Sequence, residues 1–212
     1  MTPLEQFADK IFVINRDART DRKAQYEAEF EKHGITRYER FQAYDHANIN
    51  GFVGGNGGCV ASHRALLEII AYHKWKWAIV FEDDVQFRFS DMQERFGKMI
   101  GFVPADADLI YIGGHYGSDP QYRVNEHVIR VNTMLTTSSY AITGTFARWL
   151  APHIFGSGPI DSLFSQYLPQ HNCYCLEPRL AIQRAGFSDL QGREMDNRAC
   201  MEDDSHVRRL KK

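Results

Sequence analysis

Short β-branched and aromatic runs alternate with helical patterns through the first half of this chain, and that alternation restricts the fold more than any other feature. Residues 10–15 (KIFVIN) read as a buried first strand, 38–43 as a second and 77–81 (WAIVF) as a third. Between the first two, a helical pattern runs through Ala24, Tyr26 and Phe30 and stops at Gly34, with Asp17 or Thr20 expected as its cap. A second helix is expected over 60–74, with Leu66, Leu67, Ile70 and Ala71 on one side. Such an order predicts an α/β fold, a mostly parallel central sheet flanked by helices. Further strands are expected at 109–112, 128–131, 138–142, 173–177 and 180–183, and further helices at 91–101, 143–154 and 160–168. Residues 48–58, with five glycines, read as a mobile loop, and 113–125 as a surface loop.

The chain has 212 residues and shows neither an internal repeat nor a linker, so a single domain over residues 1–192 with a polar tail at 193–212 is expected. Lys plus Arg number 25 against 27 Asp plus Glu, with no basic stripe, which argues against nucleic acid as a partner. No apolar run is long enough to span a bilayer and residues 1–10 carry no signal core, so a soluble, cytoplasmic protein is expected. Arg208, Arg209, Lys211 and Lys212 leave room for peripheral contact with an anionic membrane, although a short charged tail is the plainer reading. The four cysteines read as reduced structural thiols. Cys173 and Cys175 would share a face of one strand, with no further metal ligands nearby in sequence.

Chemistry concentrates where the third strand runs into Glu82, Asp83 and Asp84. Three adjacent carboxylates repel one another unless something positive joins them, and a hard divalent cation, Mg2+ or Mn2+, takes oxygen ligands. Ligands of open α/β sheets sit beyond the carboxyl ends of the strands, which also points to Asn15, Arg16 and Asp45. Glu82 and Asp84, two apart, can face one site and bridge a cation to a diphosphate. The competing reading is a solvated acidic turn. A phosphatase with a strand-end Asp nucleophile is a lesser rival, because the first carboxylate here is Glu82.

Four segments carry a resemblance to glycosyltransferase family 25, the lipopolysaccharide and collagen sugar transferases: IFVINRDARTDRKA at 11–24, GCVASH at 58–63, IVFEDDV at 79–85, and a looser set of SSYAIT (138–143), GPID (158–161) and QRAGFSDLQG (183–192). Asn15-Arg16-Asp17 stands where the family more usually has Asn-Leu-Asp. The resemblance covers residues 10–192. It implies a GT-A-like fold and a metal-dependent, inverting transfer of a hexose from a nucleotide-diphosphate sugar, with UDP the expected nucleotide, to a glycan or protein hydroxyl. A non-catalytic nucleotide-sugar or glycan-binding module of the same fold is the alternative.

On that reading Asp84 and Glu82 hold the metal, and Asp83 helps with ribose or metal. Asn15, Arg16, Arg22 and Asp45 meet the nucleotide, with Asp45 able to accept from the N3–H of a uracil. Ser62, His63 and Arg64, early in the second helix, are assigned to the donor; Arg22 and Arg64 can pair with phosphate. Asp161 is the expected base for the acceptor hydroxyl, with Asp119 and Asp189 in reserve. Gln183 and Ser188 are expected to line the site. His115 and His206 are weighed as extra ligands and read as surface residues. Residues 51–58 are weighed as a lid over the bound donor.

Overall fold

A computed structural model describes residues 1–45, 55–117, 122–156, 158–189 and 191–203. Residues 51–54 of the expected lid, Asp119, His206 and the basic C-terminus lie outside the described residues.

In chain order the elements are helix α1 (Pro3–Phe7), strand β1 (Lys10–Asn15), α2 (Thr20–Lys32), β2 (Glu39–Gln42), α3 (Gly55–His73), β3 (Ala78–Glu82), β4 (Val85–Phe87), α4 (Met92–Ile100), β5 (Leu109–Tyr111), β6 (His115–Tyr116) and β7 (Tyr122–Arg123). They continue with β8 (Val128–Arg130), β9 (Met134–Leu135), β10 (Ser139–Ile142), α5 (Gly144–Leu150), α6 (Ile160–Ser165), β11 (Cys173–Leu176), β12 (Ala181–Gln183), β13 (Gly186–Ser188), β14 (Arg193–Met195) and α7 (Arg198–Glu202).

Eight strands form one sheet in the order β2-β1-β3-β10-β5-β11-β8-β7. Six of them point the same way; β10 and β8 run against the rest. The expected α/β architecture with a mostly parallel sheet is present. Strands β1 and β3 are apolar on both faces because both faces are covered. Phe12, Ile14, Ala78 and Val80 pack into one core with α3, α5 and α6. Ile11, Val13, Ile79 and Phe81 pack into the other, with Tyr26 and Phe30 of α2 and Phe96 of α4.

Several local expectations change. Neither Asp17 nor Thr20 caps α2; Arg19 holds the cap position without a side-chain bond. Asp17 instead accepts from Arg40 and Gln42 beside β2, where a guanidinium outcompetes backbone N–H groups for its charge. Gly34 does mark the end of the helix, with φ +68 in the left-handed region that glycine tolerates. The expected helix over 143–154 breaks after Leu150 into a 3-10 turn, Ala151–His153, because Pro152 has no N–H to donate. Residues 160–168 divide in the same way, α6 ending at Ser165 and a 3-10 turn, Leu168–Gln170, following around Pro169. The glycine-rich stretch is helical from Gly55 onward, and residues 48–54 lie outside the described residues.

Two features carry no signal in sequence spacing. Gly113 bridges to Ala181, and a Cβ on it would lie 2.0 Å from the Ala181 carbonyl oxygen, so only glycine fits. Residues 193–203 of the expected polar tail are also packed: β14 pairs with β13, and Met201 of α7 is fully buried.

Glu5, nearly buried at 4 % exposure, ties α1 to the chain entering β2. Its carboxylate accepts from the backbone N–H of Thr2 (2.9 Å), Thr36 (2.7 Å) and Arg37 (2.8 Å). Burial alone would raise its pKa, but the three donors outweigh burial and lower it to about 2. A depressed carboxyl pKa stabilises the fold above the ordinary value of 4.5, and that stabilisation is lost as pH falls toward 2. Glu5→Gln is expected to cost about 1–3 kcal/mol at pH 7 and much less at pH 3, read by urea unfolding at the two pH values. A cost that does not change with pH would show that the charge is irrelevant.

Candidate active site

Strands β2, β1 and β3 are neighbours and parallel, so the residues at their carboxyl ends meet along one edge of the sheet. There a cleft of about 160 Å3 opens. Nine residues singled out from the sequence lie on its wall: Asn15, Arg16, Arg22, Asp45, Ser62, His63, Glu82, Asp83 and Asp84. Gln183, Ser188 and Asp189 line it as well.

The three carboxylates have distinct surroundings. Glu82 ends β3 and accepts from the Thr137 hydroxyl (2.7 Å), with His63 Nε2 at 3.2 Å. Burial raises its pKa, but the His63 bond and charge together with Thr137 outweigh that, and it lies below the ordinary value. Asp83 accepts from Asn15 (2.7 Å) and Arg22 (2.8 Å), yet burial still pushes it up. Asp84 accepts from Gln183 (3.0 Å) and Arg22 (3.2 Å) on one oxygen, while its Oδ1 is buried with no hydrogen-bond partner among the described residues. Burial first, then the charge of Glu82, raises Asp84 to about 7. The single guanidinium of Arg22 therefore offsets only part of the negative charge gathered here.

The wall is braced from behind. His63 Nδ1 lies 2.9 Å from the Tyr140 hydroxyl. Ser62 donates to the Gly58 carbonyl (2.7 Å) and accepts from the Tyr44 N–H (2.9 Å), which locks α3 to the chain leaving β2. Arg40 donates to Asn15 Oδ1 (2.9 Å), aiming the amide of Asn15 at Asp83. At the mouth Arg16 pairs with Asp45 and Asp189, the latter also held by Arg19 (3.0 Å). These outer ion pairs are partly exposed and cheap to exchange for a ligand.

Two expected site residues are not on the wall. Arg64 pairs with Glu68 (3.0 Å) on the outer side of α3, because Ser62 and His63 turn inward and the next residue lies about 100° further round. Asp161 stands in the first turn of α6, where its oxygens accept from the N–H of Thr136 (2.9 Å) and of Ser162 (2.6 Å). It pins the loop before β10. His115 sits in β6, paired with β9 and away from the cleft wall.

Sequence reasoning missed Cys59, Thr137 and Tyr140. Cys59 and His63 are four apart on a helix and so share a face, a signal present in GCVASH. Thr137 and Tyr140 reach the site only because β10 lies against β3, which no local pattern reveals.

Asp84 makes a stability prediction. Its folded pKa, about 7, exceeds its unfolded value of 3.8, so it favours the fold below 3.8 and loses that contribution as pH rises through 7. Asp84→Asn is therefore expected to be more stable than the parent by about 1–3 kcal/mol at pH 8 and no more stable at pH 4, measured by urea unfolding. An equal effect at both values would contradict the raised pKa.

Residues 50–154 match the model of glycosyltransferase family 25, described as LPS biosynthesis protein. "Putative glycosyltransferase R655" of Acanthamoeba polyphaga mimivirus is 31% identical over 120 residues, which is 49% of this chain and 37% of that protein, so the chain spans well under half of that relative. Among solved structures, A197 from STIV superposes with a TM-score of 0.50 at 14% identity, covering 95% of each chain. That likeness concerns the fold alone, a GT-A-like α/β arrangement. Among the described residues no helix is long and apolar enough to cross a membrane.

Proposed function

The chain is a member of glycosyltransferase family 25, and on that premise we propose that it transfers a hexose from a UDP-linked or similar nucleotide-diphosphate sugar to a glycan or protein hydroxyl, with inversion and with Mn2+ or Mg2+. The observation that carries the reading is the cleft itself, where three strand-end carboxylates and two arginines face one space. The donor set fits a hard cation: Glu82 and Asp84 supply carboxylate oxygens, and Asp84 Oδ1 is buried without a partner among the described residues. Bound there, the ion would offset charge on the departing diphosphate.

The chain's own residues take the remaining tasks. Arg22, held between Asp83 and Asp84, presents its guanidinium to a diphosphate, and Arg16 can exchange its exposed carboxylate partners for phosphate oxygens. Asn15, Asp45 and Asp83 are assigned to the nucleoside, and Ser62 and His63 order the wall beside the sugar. Asp161, engaged by Thr136, is assigned a structural task, and Asp189, the reserve that lines the cleft, is assigned to take the proton of the acceptor hydroxyl. The same cleft without turnover would be a donor-binding module, so the two readings part on chemistry rather than on binding.

A thermal-shift screen of nucleotide sugars with and without Mn2+ tests the reading, because a ligand that binds only the folded state raises its stability. At least one UDP-sugar should raise the melting temperature more with Mn2+ than without, and should be hydrolysed slowly. Binding without hydrolysis or transfer to any acceptor favours the module. No shift with any nucleotide sugar removes the donor assignment.

A further inference from the structure

Three groups on the cleft wall form a cluster of a different kind from the carboxylate row. Cys59 and His63 stand one turn apart on α3, and Glu82 ends β3 opposite them. Their Sγ, ring nitrogen and carboxylate oxygen all lie within 4.8 Å of one another. A tetrahedral zinc ion sits ~2.3 Å from sulfur and ~2.0–2.2 Å from nitrogen or oxygen, so its ligand atoms are roughly 3.3–3.8 Å apart. His63 Nε2 and Glu82 Oε1, at 3.2 Å, are near that spacing already. All three residues line the cleft, which leaves a fourth position open to water.

We propose that Cys59, His63 and Glu82 form a binding site for a thiophilic divalent cation of the zinc class, distinct in its chemistry from the all-oxygen set at Glu82 and Asp84. Thiolate and imidazole select zinc over magnesium or manganese, which take oxygen. The ring orientation is already set. Tyr140, 2.9 Å from His63 Nδ1, is placed to accept from Nδ1–H when Nε2 gives its lone pair to the metal. Thr137 holds Glu82 in the same manner, through its hydroxyl. On binding, the Cys59 S–H bond breaks, the sulfur keeps the electron pair for the metal, and the proton leaves to buffer; no oxidation occurs. Because the ion takes Glu82, it would exclude the oxygen-liganded cation from the same carboxylate. The metal-binding part of this proposal does not depend on the cleft taking a nucleotide sugar.

Cobalt substitution tests it directly. Titrating the metal-free chain with Co2+ should produce a thiolate-to-cobalt charge-transfer band that saturates at one equivalent and is erased by Zn2+. Cys59→Ala should remove the band and weaken Zn2+ by about 100-fold or more, since even an outer partner is worth roughly 10–100-fold. Cys200→Ser, which alters the exposed cysteine, should leave both unchanged. Zn2+ should also shield Cys59 of the unaltered chain from alkylation, read by peptide mass spectrometry, and this readout requires no folded variant. Absence of the band, its survival in Cys59→Ala, or undiminished alkylation of Cys59 under saturating Zn2+ would each overturn the proposal.

Discussion

Asp84→Ala should abolish the Mn2+-dependent part of nucleotide-sugar stabilisation and lower the transfer rate by about 10^3-fold, the scale of losing one charge-stabilising group at a water-poor site. Asp84 is 6 % exposed, is raised to about 7 by burial and by Glu82, and keeps one oxygen without a partner among the described residues. A fold would not retain so unfavourable a carboxylate for stability, since its neutral isostere is expected to be the more stable protein above pH 7. Gain of stability with loss of function in the same position is the pattern of a site held under electrostatic strain. Measuring kcat, KM and the melting shift on one preparation separates the outcomes. An unchanged Mn2+-dependent shift in Asp84→Ala would remove Asp84 from the metal set, whatever happened to the rate.

Arg179→Met should cost about 3–5 kcal/mol, the range expected when one member of a buried charged network is removed. Arg179 has no exposed surface. Its guanidinium donates to the carbonyls of Gly114 (3.1 Å) and Asp203 (2.8 Å) and lies over the Tyr116 ring at 4.7 Å. Tyr116 in turn donates to Glu177 (2.8 Å), whose carboxylate is 4.0 Å from Arg179 Nε. The arginine thus fastens α7 to the chain leaving β5. α7 packs on β12, and Asn197 at its start donates to Gln183, the residue that holds Asp84. Release of α7 should therefore loosen one side of the cleft. Urea unfolding reads the energy, and limited proteolysis should cut between 193 and 203 in the variant far sooner than in the parent. A cost under about 1 kcal/mol would show that the network is not what retains this segment.

The sequence by itself determined the strand-helix alternation, the buried strands β1 and β3, and the placing of Glu82, Asp83 and Asp84 just beyond a strand. These are local: apolar periodicity and turn residues are written in neighbouring positions. It also brought Asn15, Arg16 and Asp45 to the same edge, because parallel neighbouring strands end on one side. Only the tertiary structure decided that β10 runs against β3 and supplies Thr137 and Tyr140, that Arg64 and Asp161 are held away from the cleft, and that residues 193–203 are part of the packed unit. The reason is that hydrogen bonds and ion pairs across strands and between distant segments depend on register and on which partner arrives. Arg64 found Glu68, Asp161 found the N–H of Thr136, and the polar C-terminal segment found a buried arginine that no spacing announces.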